Sequence, residues 1–122
     1  MQATIHSQSF SLTNAIQNYL QHKIFVALRQ FEDQISLTEV FIKDINGANK
    51  GGEDLKVLIR IQLKGMAPVI VEHTSGDLYV AINVAARRSK RVVKKVLRRH
   101  HRIERQNLRQ LQMDESSGAI AM

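Results

Sequence analysis

Residues 77–112 read DLYVAINVAARRSKRVVKKVLRRHHRIERQNLRQLQ, and the rest of the 122-residue chain is organised around this stretch. Its apolar and small residues recur at the i, i+3, i+4, i+7 spacing of an amphipathic helix, so one face can pack on a domain. The members of this stripe are Leu78, Tyr79, Ile82, Ala85, Ala86, Ser89, Val93, Val96, Leu97, His100 and Ile103. The sequence therefore predicts a helix from near Asp77 to about Gln112.

The opposite face of the predicted helix is strongly basic. Between residues 87 and 109, eleven Lys and Arg residues stand against one acid, Glu104, although the whole chain has a net charge of only +7. These cations are Arg87, Arg88, Lys90, Arg91, Lys94, Lys95, Arg98, Arg99, Arg102, Arg105 and Arg109. Like charges four residues apart destabilise a helix by roughly 0.2–0.5 kcal/mol per pair, so an external anion is expected to compensate. A polyanion such as a nucleic acid suits this role, because neutralised phosphates release counterions. A merely solvated face is the alternative.

The composition bounds the class of protein. A chain of 122 residues suits one domain with a single core. The absence of cysteine excludes disulfides, thiolate metal sites and cysteine nucleophiles. Neither a secretory leader nor a membrane-spanning apolar run is visible, so a soluble cytoplasmic protein is expected. The sequence pI of about 10.2 favours a nucleic acid as partner, and an anionic membrane surface second.

The chain before the basic helix predicts one more helix and four strands. The predicted strands are residues 2–7, 35–45, 55–63 and 69–73, and the first helix spans residues 12–31 after an N-cap at Ser11. Residues 46–54, NGANKGGED, are typical of a hairpin loop, and Ser75 or Asp77 should cap the basic helix. The order predicts an α+β domain: a four-stranded mixed sheet, its first two strands parallel, with both helices on one face. Residues 114–122 are expected to be disordered.

Enzymatic and metal chemistry find little support in the sequence. Adjacent His100 and His101 would point about 100° apart on a helix and cannot easily share one ion. The acids on predicted strands lack a paired carboxylate or a base at recognisable spacing, so neither a catalytic site nor a cofactor is expected. Tyr19 and Tyr79 lie on apolar stripes and are predicted to pack in the core. Nucleic-acid contact should therefore be electrostatic and directed at phosphates.

Three features together resemble a known family: the element order, the basic run, and the opening of the basic helix, SGDLYVAIN at residues 75–83. The chain is similar to the ribosome hibernation-promoting factors, also called ribosome-associated translation inhibitors or protein Y. Their pattern at this point is Asp-Met-Tyr-Ala-Ala-Ile-Asp followed by a basic helix, and here Asn83 replaces the last Asp. The start, MQATIHSQSFSLTNAIQNYLQHKI, is also similar to the family's first strand, capped helix and helical lysine, here Lys23. The resemblance covers about residues 1–103.

The resemblance implies a function. Family members bind the small ribosomal subunit in the channel where messenger RNA and tRNA pass, and hold idle ribosomes inactive under stress and in stationary phase. Carried over by position, the residues that contact ribosomal RNA are Lys23, Arg87, Arg88, Lys90, Arg91, Lys94, Lys95, Arg98, Arg99 and Arg102. Residues 1–103 would form the ribosome-binding domain, and residues 104–122 a helix extension and tail. The chain resembles the short form of the family, which is expected to be monomeric when free, with a ribosome-dimerising protein as a candidate second partner.

Two other functions fit the concentrated charge. A general double-stranded nucleic-acid-binding protein would bind naked duplex as well as it binds ribosomes. A membrane-surface protein would need bulky apolar residues on the helix face that enters the lipid, and the stripe here offers mainly Val, Ala and Ile. The nucleic-acid alternative therefore ranks above the membrane alternative.

Overall fold

The computed structural model describes residues 2–8, 11–45 and 54–121, with side chains described as far as Gln112. The elements are β1 (Thr4–Gln8), α1 (Asn14–Leu28), a 3-10 helix (Arg29–Gln34), β2 (Ile35–Asp44), β3 (Leu55–Leu63), β4 (Val69–Ser75) and α2 (Leu78–Ala121). This order confirms the predicted β-α-β-β-β-α arrangement. The chain divides into two compact units, residues 1–92 and residues 93–122.

The first unit is built on a four-stranded mixed sheet in the order β1-β2-β3-β4. Strand β1 pairs in parallel with β2, and β2, β3 and β4 form an antiparallel meander, as the sequence predicted. The turn between β3 and β4 contains Gly65 at φ 69°, a left-handed conformation that favours glycine. Most of the predicted hairpin loop, residues 46–53, lies outside the described residues, and the Ile45 N–H donates to the Asp54 carbonyl at 3.1 Å beside it.

One face of the sheet is buried and the other is open. On β3 the alternation is regular: Val57, Ile59, Ile61 and Leu63 are buried, while the side chains between them are only half-buried. Helix α1 and the first turns of α2 cover the buried face with their own buried apolar residues. These are Leu20, Ile24, Ala27 and Leu28 of α1, and Leu78, Ala81, Ile82, Ala85 and Ala86 of α2.

Helix α1 begins two residues later than the sequence predicted. Thr13, not Ser11, is the N-cap: it is extended, with ψ 159°, and its Oγ1 accepts the Ile16 N–H at 3.2 Å. Both residues carry a hydroxyl, so composition alone could not choose between them. At the other end, residues 29–34 continue as a 3-10 helix rather than as part of α1, and this turn keeps Phe31 buried. The apolar spacing therefore persisted after the hydrogen-bond pattern had changed.

A side chain of α1 holds the first strand in place. The Gln21 Oε1 accepts the Ala3 N–H at 2.9 Å, and the Gln21 Nε2 donates to the Ala3 carbonyl at 2.6 Å. The amide thus pairs with both backbone groups of a residue just before an edge strand, whose backbone would otherwise need water. This contact ties β1 to the helix that follows it.

Both residues predicted as caps take part at the start of α2. The Asp77 Oδ1 accepts the Tyr79 N–H at 2.9 Å, and the Ser75 Oγ accepts the Asp77 N–H at 3.2 Å. Further along, the buried Ser89 Oγ donates to the Ala85 carbonyl at 2.8 Å, so a polar residue occupies the apolar stripe without an unpaired group. Tyr79 departs from the prediction: its side chain is 43% exposed and does not lie in the core.

The second unit consists of the remainder of α2. Val93 and Leu97 are buried and His100 is half-buried, whereas every residue from His101 to Gln112 is exposed, including Ile103 of the predicted stripe. The helical backbone continues to Ala121, so the predicted end near Gln112 was too early, and residues 114–121, expected to be disordered, are helical. No proline interrupts this segment, and its one glycine costs a helix only about 1 kcal/mol relative to alanine. Met122 lies outside the described residues.

Candidate nucleic-acid interface

The first unit carries a basic groove formed by side chains of α1 and α2. It has a volume of about 410 Å³, and its cations are Lys23 from α1 and Arg87 and Lys90 from α2. Apolar side chains line it as well, among them the small, buried Ala27 and Ala86. The structure thus brings together three predicted RNA-contacting residues, of which Lys23 lies more than sixty positions before the other two in sequence. A groove of this kind can hold an anionic backbone between cations from two elements.

Tyr19 contacts the lysine of this groove, and Tyr79 in turn contacts Tyr19. The Lys23 Nζ lies 5.4 Å from the centroid of the Tyr19 ring, within the range of a cation–π contact. The Tyr19 and Tyr79 rings meet edge to face at 4.8 Å. Both rings were predicted to pack in the core, whereas Tyr19 is half-buried and Tyr79 is exposed. The position of Tyr79 in the first turn of α2, at the margin of the apolar stripe, was the available signal.

Arg88 and Arg91 lie on the same helix but outside the lining of the groove. Both are exposed. The Arg88 Nη1 donates to the Glu72 carbonyl on β4 at 3.0 Å, so this guanidinium also anchors α2 to the sheet. Arginine has five N–H donors, and the remaining ones are available for a second acceptor. Arg88 can therefore serve the fold and a ligand together.

The second unit presents seven exposed cations along α2. They are Lys94, Lys95, Arg98, Arg99, Arg102, Arg105 and Arg109. Arg98, Arg102 and Arg105 line a shallow depression of about 530 Å³, next to His101. Glu104 is the single acid of the basic run, and its Oε1 lies 3.0 Å from the His100 Nε2.

The described side chains do not neutralise the charge of α2. Within the side chains that the structure describes, no ion pair joins any of these eleven cations to an acid. The described ion pairs of the first unit lie on the sheet, where Glu39 contacts Arg60 and His6 and Glu72 contacts Lys56. Eight of the eleven cations are arginine, whose planar fork matches a phosphate bidentately. The arrangement suits a phosphate backbone.

Among the described residues, no group of three or more His, Cys, Asp or Glu side chains could hold a metal ion. In that part of the chain, no helix combines the length and apolar character needed to cross a membrane.

Comparison with known proteins places this geometry in a family. Residues 3–101 match the family model of the Sigma 54 modulation protein / S30EA ribosomal protein. No curated protein matches the chain.

Two solved structures share the fold. The protein Y N-terminal domain of Thermus thermophilus is 26% identical, with a TM-score of 0.64, and the match covers 79% of this chain and 99% of that one. A ribosomal subunit interface protein from Coxiella burnetii has a TM-score of 0.66 at 17% identity, covering 79% of this chain and 97% of that one, and supports the fold alone. Since the family model spans most of the chain, this protein belongs to the Sigma 54 modulation protein / S30EA ribosomal protein family of ribosome-associated proteins.

Proposed function

We propose that this protein is a ribosome hibernation factor. It binds ribosomal RNA of the small subunit in the channel for messenger RNA and tRNA, and inhibits translation by occupying that channel. The observation that carries the proposal is the row of eleven exposed cations on α2, none of them in an ion pair with an acid among the described side chains. Family membership supplies the ribosome as the target.

Phosphate contacts account for the affinity in this proposal. The groove formed by Lys23, Arg87 and Lys90 takes one stretch of RNA backbone, and the exposed cations from Lys94 to Arg102 take others. Each neutralised phosphate releases counterions and strengthens binding without reading a base. Recognition of the channel then depends on the shape of folded ribosomal RNA. The protein acts as a monomer in the cytoplasm, without catalysing a reaction, and a ribosome-dimerising protein is a separate partner.

Charge reversal on α2 tests the proposal. The variant with Arg91, Lys94, Lys95 and Arg98 changed to Glu should fold, because all four side chains are exposed, and should no longer sediment with small subunits at physiological salt. Circular dichroism checks the fold. A matched pair of double variants controls for net charge: Lys94→Glu with Arg98→Glu should weaken binding strongly, whereas Arg29→Glu with Lys64→Glu should not. Equal losses in the two double variants would contradict a specific role for α2.

A competition experiment separates the proposal from a general double-stranded nucleic-acid-binding protein. Bound tRNA should displace this protein from ribosomes, and a naked RNA duplex should compete poorly. If duplex competes equally and tRNA has no effect, the general binder is the correct function.

A further inference from the structure

The open face of the sheet carries a row of aromatic and apolar side chains. His6 on β1, Phe41 on β2 and Leu58 on β3 are register partners across adjacent strands. The His6 and Phe41 rings stack with their centroids 4.7 Å apart and their planes at 14°. Phe41 remains 37% exposed, on the face that the helices do not cover. An exposed aromatic surface with a fixed orientation is therefore present away from α2.

A second row of polar side chains runs beside the first. Lys43 on β2 lies directly opposite Lys56 on β3, and Gln8 on β1 pairs with Lys43. Like charges directly opposite each other destabilise a sheet. Lys56 contacts Glu72 at 3.0 Å, but both side chains are substantially exposed, and such pairs contribute little. Lys43 forms no ion pair within the described side chains. An anion between the two lysines would relieve their repulsion.

The two rows enclose one cavity. It has a volume of about 300 Å³ and is lined by His6, Gln8, Phe41, Ile42, Lys43, Lys56 and Leu58. This volume matches the small end of ligand sites in proteins. Glu39 on β2 contacts Arg60 at 3.1 Å and His6 at 3.4 Å, and so holds the stacked histidine in place. The cavity thus combines an aromatic wall with two cations.

We propose that this cavity is a nucleotide-binding site, separate from the basic helix. The base packs on Phe41 and Leu58, and the phosphate lies between Lys43 and Lys56. The spacing supports this arrangement, because side chains two residues apart on a strand are about 7 Å apart, and a nucleotide separates its base from its phosphate by one sugar. The ligand is either a free nucleotide or one nucleotide of single-stranded RNA, which share this chemistry. This proposal does not depend on whether the protein occupies the ribosomal channel.

Nuclear magnetic resonance titrations of the full chain test the site. Uridine monophosphate, uridine, inorganic phosphate and pentauridylate are added separately, and amide and side-chain signals are followed. Shifts at Phe41, Lys43, Lys56 and Leu58 with uridine monophosphate support a free-nucleotide site, and shifts there with pentauridylate alone support an RNA site. The proposal is overturned if inorganic phosphate gives the same shifts at the same concentration, or if signals move only on α2.

Substitutions test which side chains bind the base and which bind the phosphate. Phe41→Ala should weaken nucleotide binding about tenfold, the loss typical of one base–aromatic stack. The double variant Lys43→Gln with Lys56→Gln should weaken the binding of uridine monophosphate. The binding of uridine, which has no phosphate and binds more weakly, should not change. The control is Ile70→Ala, which removes another exposed apolar side chain of the same sheet without touching the cavity. Equal effects of Phe41→Ala and Ile70→Ala would show that nucleotides bind this face non-specifically through apolar contacts, and would overturn the proposed site.

Discussion

Two threonines show how differently the same hydroxyl contributes at the scale of one residue. Thr13 lies outside the helix, where its oxygen accepts the Ile16 N–H and satisfies a backbone donor that α1 leaves unpaired. Thr38 lies on the buried face of β2, between Ile35 and Val40, and among the described residues its Oγ1 is a buried side-chain atom without a hydrogen-bond partner. The first hydroxyl stabilises the fold, and the second costs free energy.

The cap of α1 can be located by substitution. Thr13→Ala should lower the free energy of unfolding by about 1 kcal/mol, since it removes the acceptor for the Ile16 N–H. Ser11→Ala, the matched control two residues earlier, should leave it nearly unchanged. Urea denaturation of the two variants measures both values, and a larger loss for Ser11→Ala would place the cap at Ser11 instead.

The unpaired hydroxyl of Thr38 predicts a stabilising substitution. Thr38→Val keeps the shape of the side chain and removes the buried oxygen, so the free energy of unfolding should rise by about 1 kcal/mol. Thr38→Ser keeps the oxygen and loses a methyl group, so this variant should be less stable than the native protein. Denaturation of the three proteins under one condition checks the order, and a destabilised valine variant would mean that the hydroxyl has a partner in solution.

At the scale of one element, α2 packs on the sheet with one face and carries the proposed RNA-binding cations on the other. Its first turns bury Leu78, Ile82 and Ala85, and this packing holds the helix on the sheet. The cations of the second unit contribute nothing comparable to folding: Arg98 lies four residues from both Lys94 and Arg102, and all three are exposed and of like charge. The helix thus carries a repulsion that a polyanion would relieve.

Removing that repulsion should stabilise the helix and impair binding. In Arg98→Glu, two repulsive i,i+4 pairs become attractive, so the helix should gain about 1 kcal/mol of stability at low salt. The gain should be smaller at high salt, because salt screens both the original repulsion and the new attraction. Hydrogen exchange of the amides of residues 94–102 measures the gain. Arg98→Gln, which removes the repulsion without adding attraction, should give about half of it. Faster exchange in the glutamate variant would contradict the prediction, and weaker ribosome binding should accompany slower exchange.

At the scale of the whole molecule, the charge is concentrated rather than spread. Residues 87–109 carry a net charge of +10, while the whole chain carries +7, so the rest of the protein is slightly acidic. Under the proposed function, acids outside α2 disfavour phosphate contact over much of the surface, and the cations of α2 define where ribosomal RNA would bind. Family membership and the exposed basic helix agree on the kind of partner.

The salt dependence of ribosome binding should show that the positive charge is concentrated on α2. The slope of the logarithm of the binding constant against the logarithm of the salt concentration should be steep, and Lys95→Gln or Arg102→Gln should each reduce it by about one unit. Lys64→Gln, which removes an exposed cation of the turn after β3, should leave the slope unchanged. Binding that hardly depends on salt would contradict a phosphate-based interface.

The sequence by itself determined the element order, the buried face of β3 and the basic character of α2. Each of these depends on a local period: alternation along a strand, or recurrence every three to four residues along a helix. Val57, Ile59 and Ile61 are buried because that period places them on one side, whatever lies opposite. The eleven cations of α2 were assigned to the opposite arc on the same basis.

Only the tertiary structure decided which residues from different elements meet. Lys23 joins Arg87 at one groove, and Phe41 joins His6 in one stack, although no local period relates the members of either pair. The exposure of Tyr79 was decided in the same way, since a residue at the margin of an apolar stripe is buried only if a neighbouring element reaches it. Packing between elements and strand register are long-range, and a period read along the chain carries no information about either.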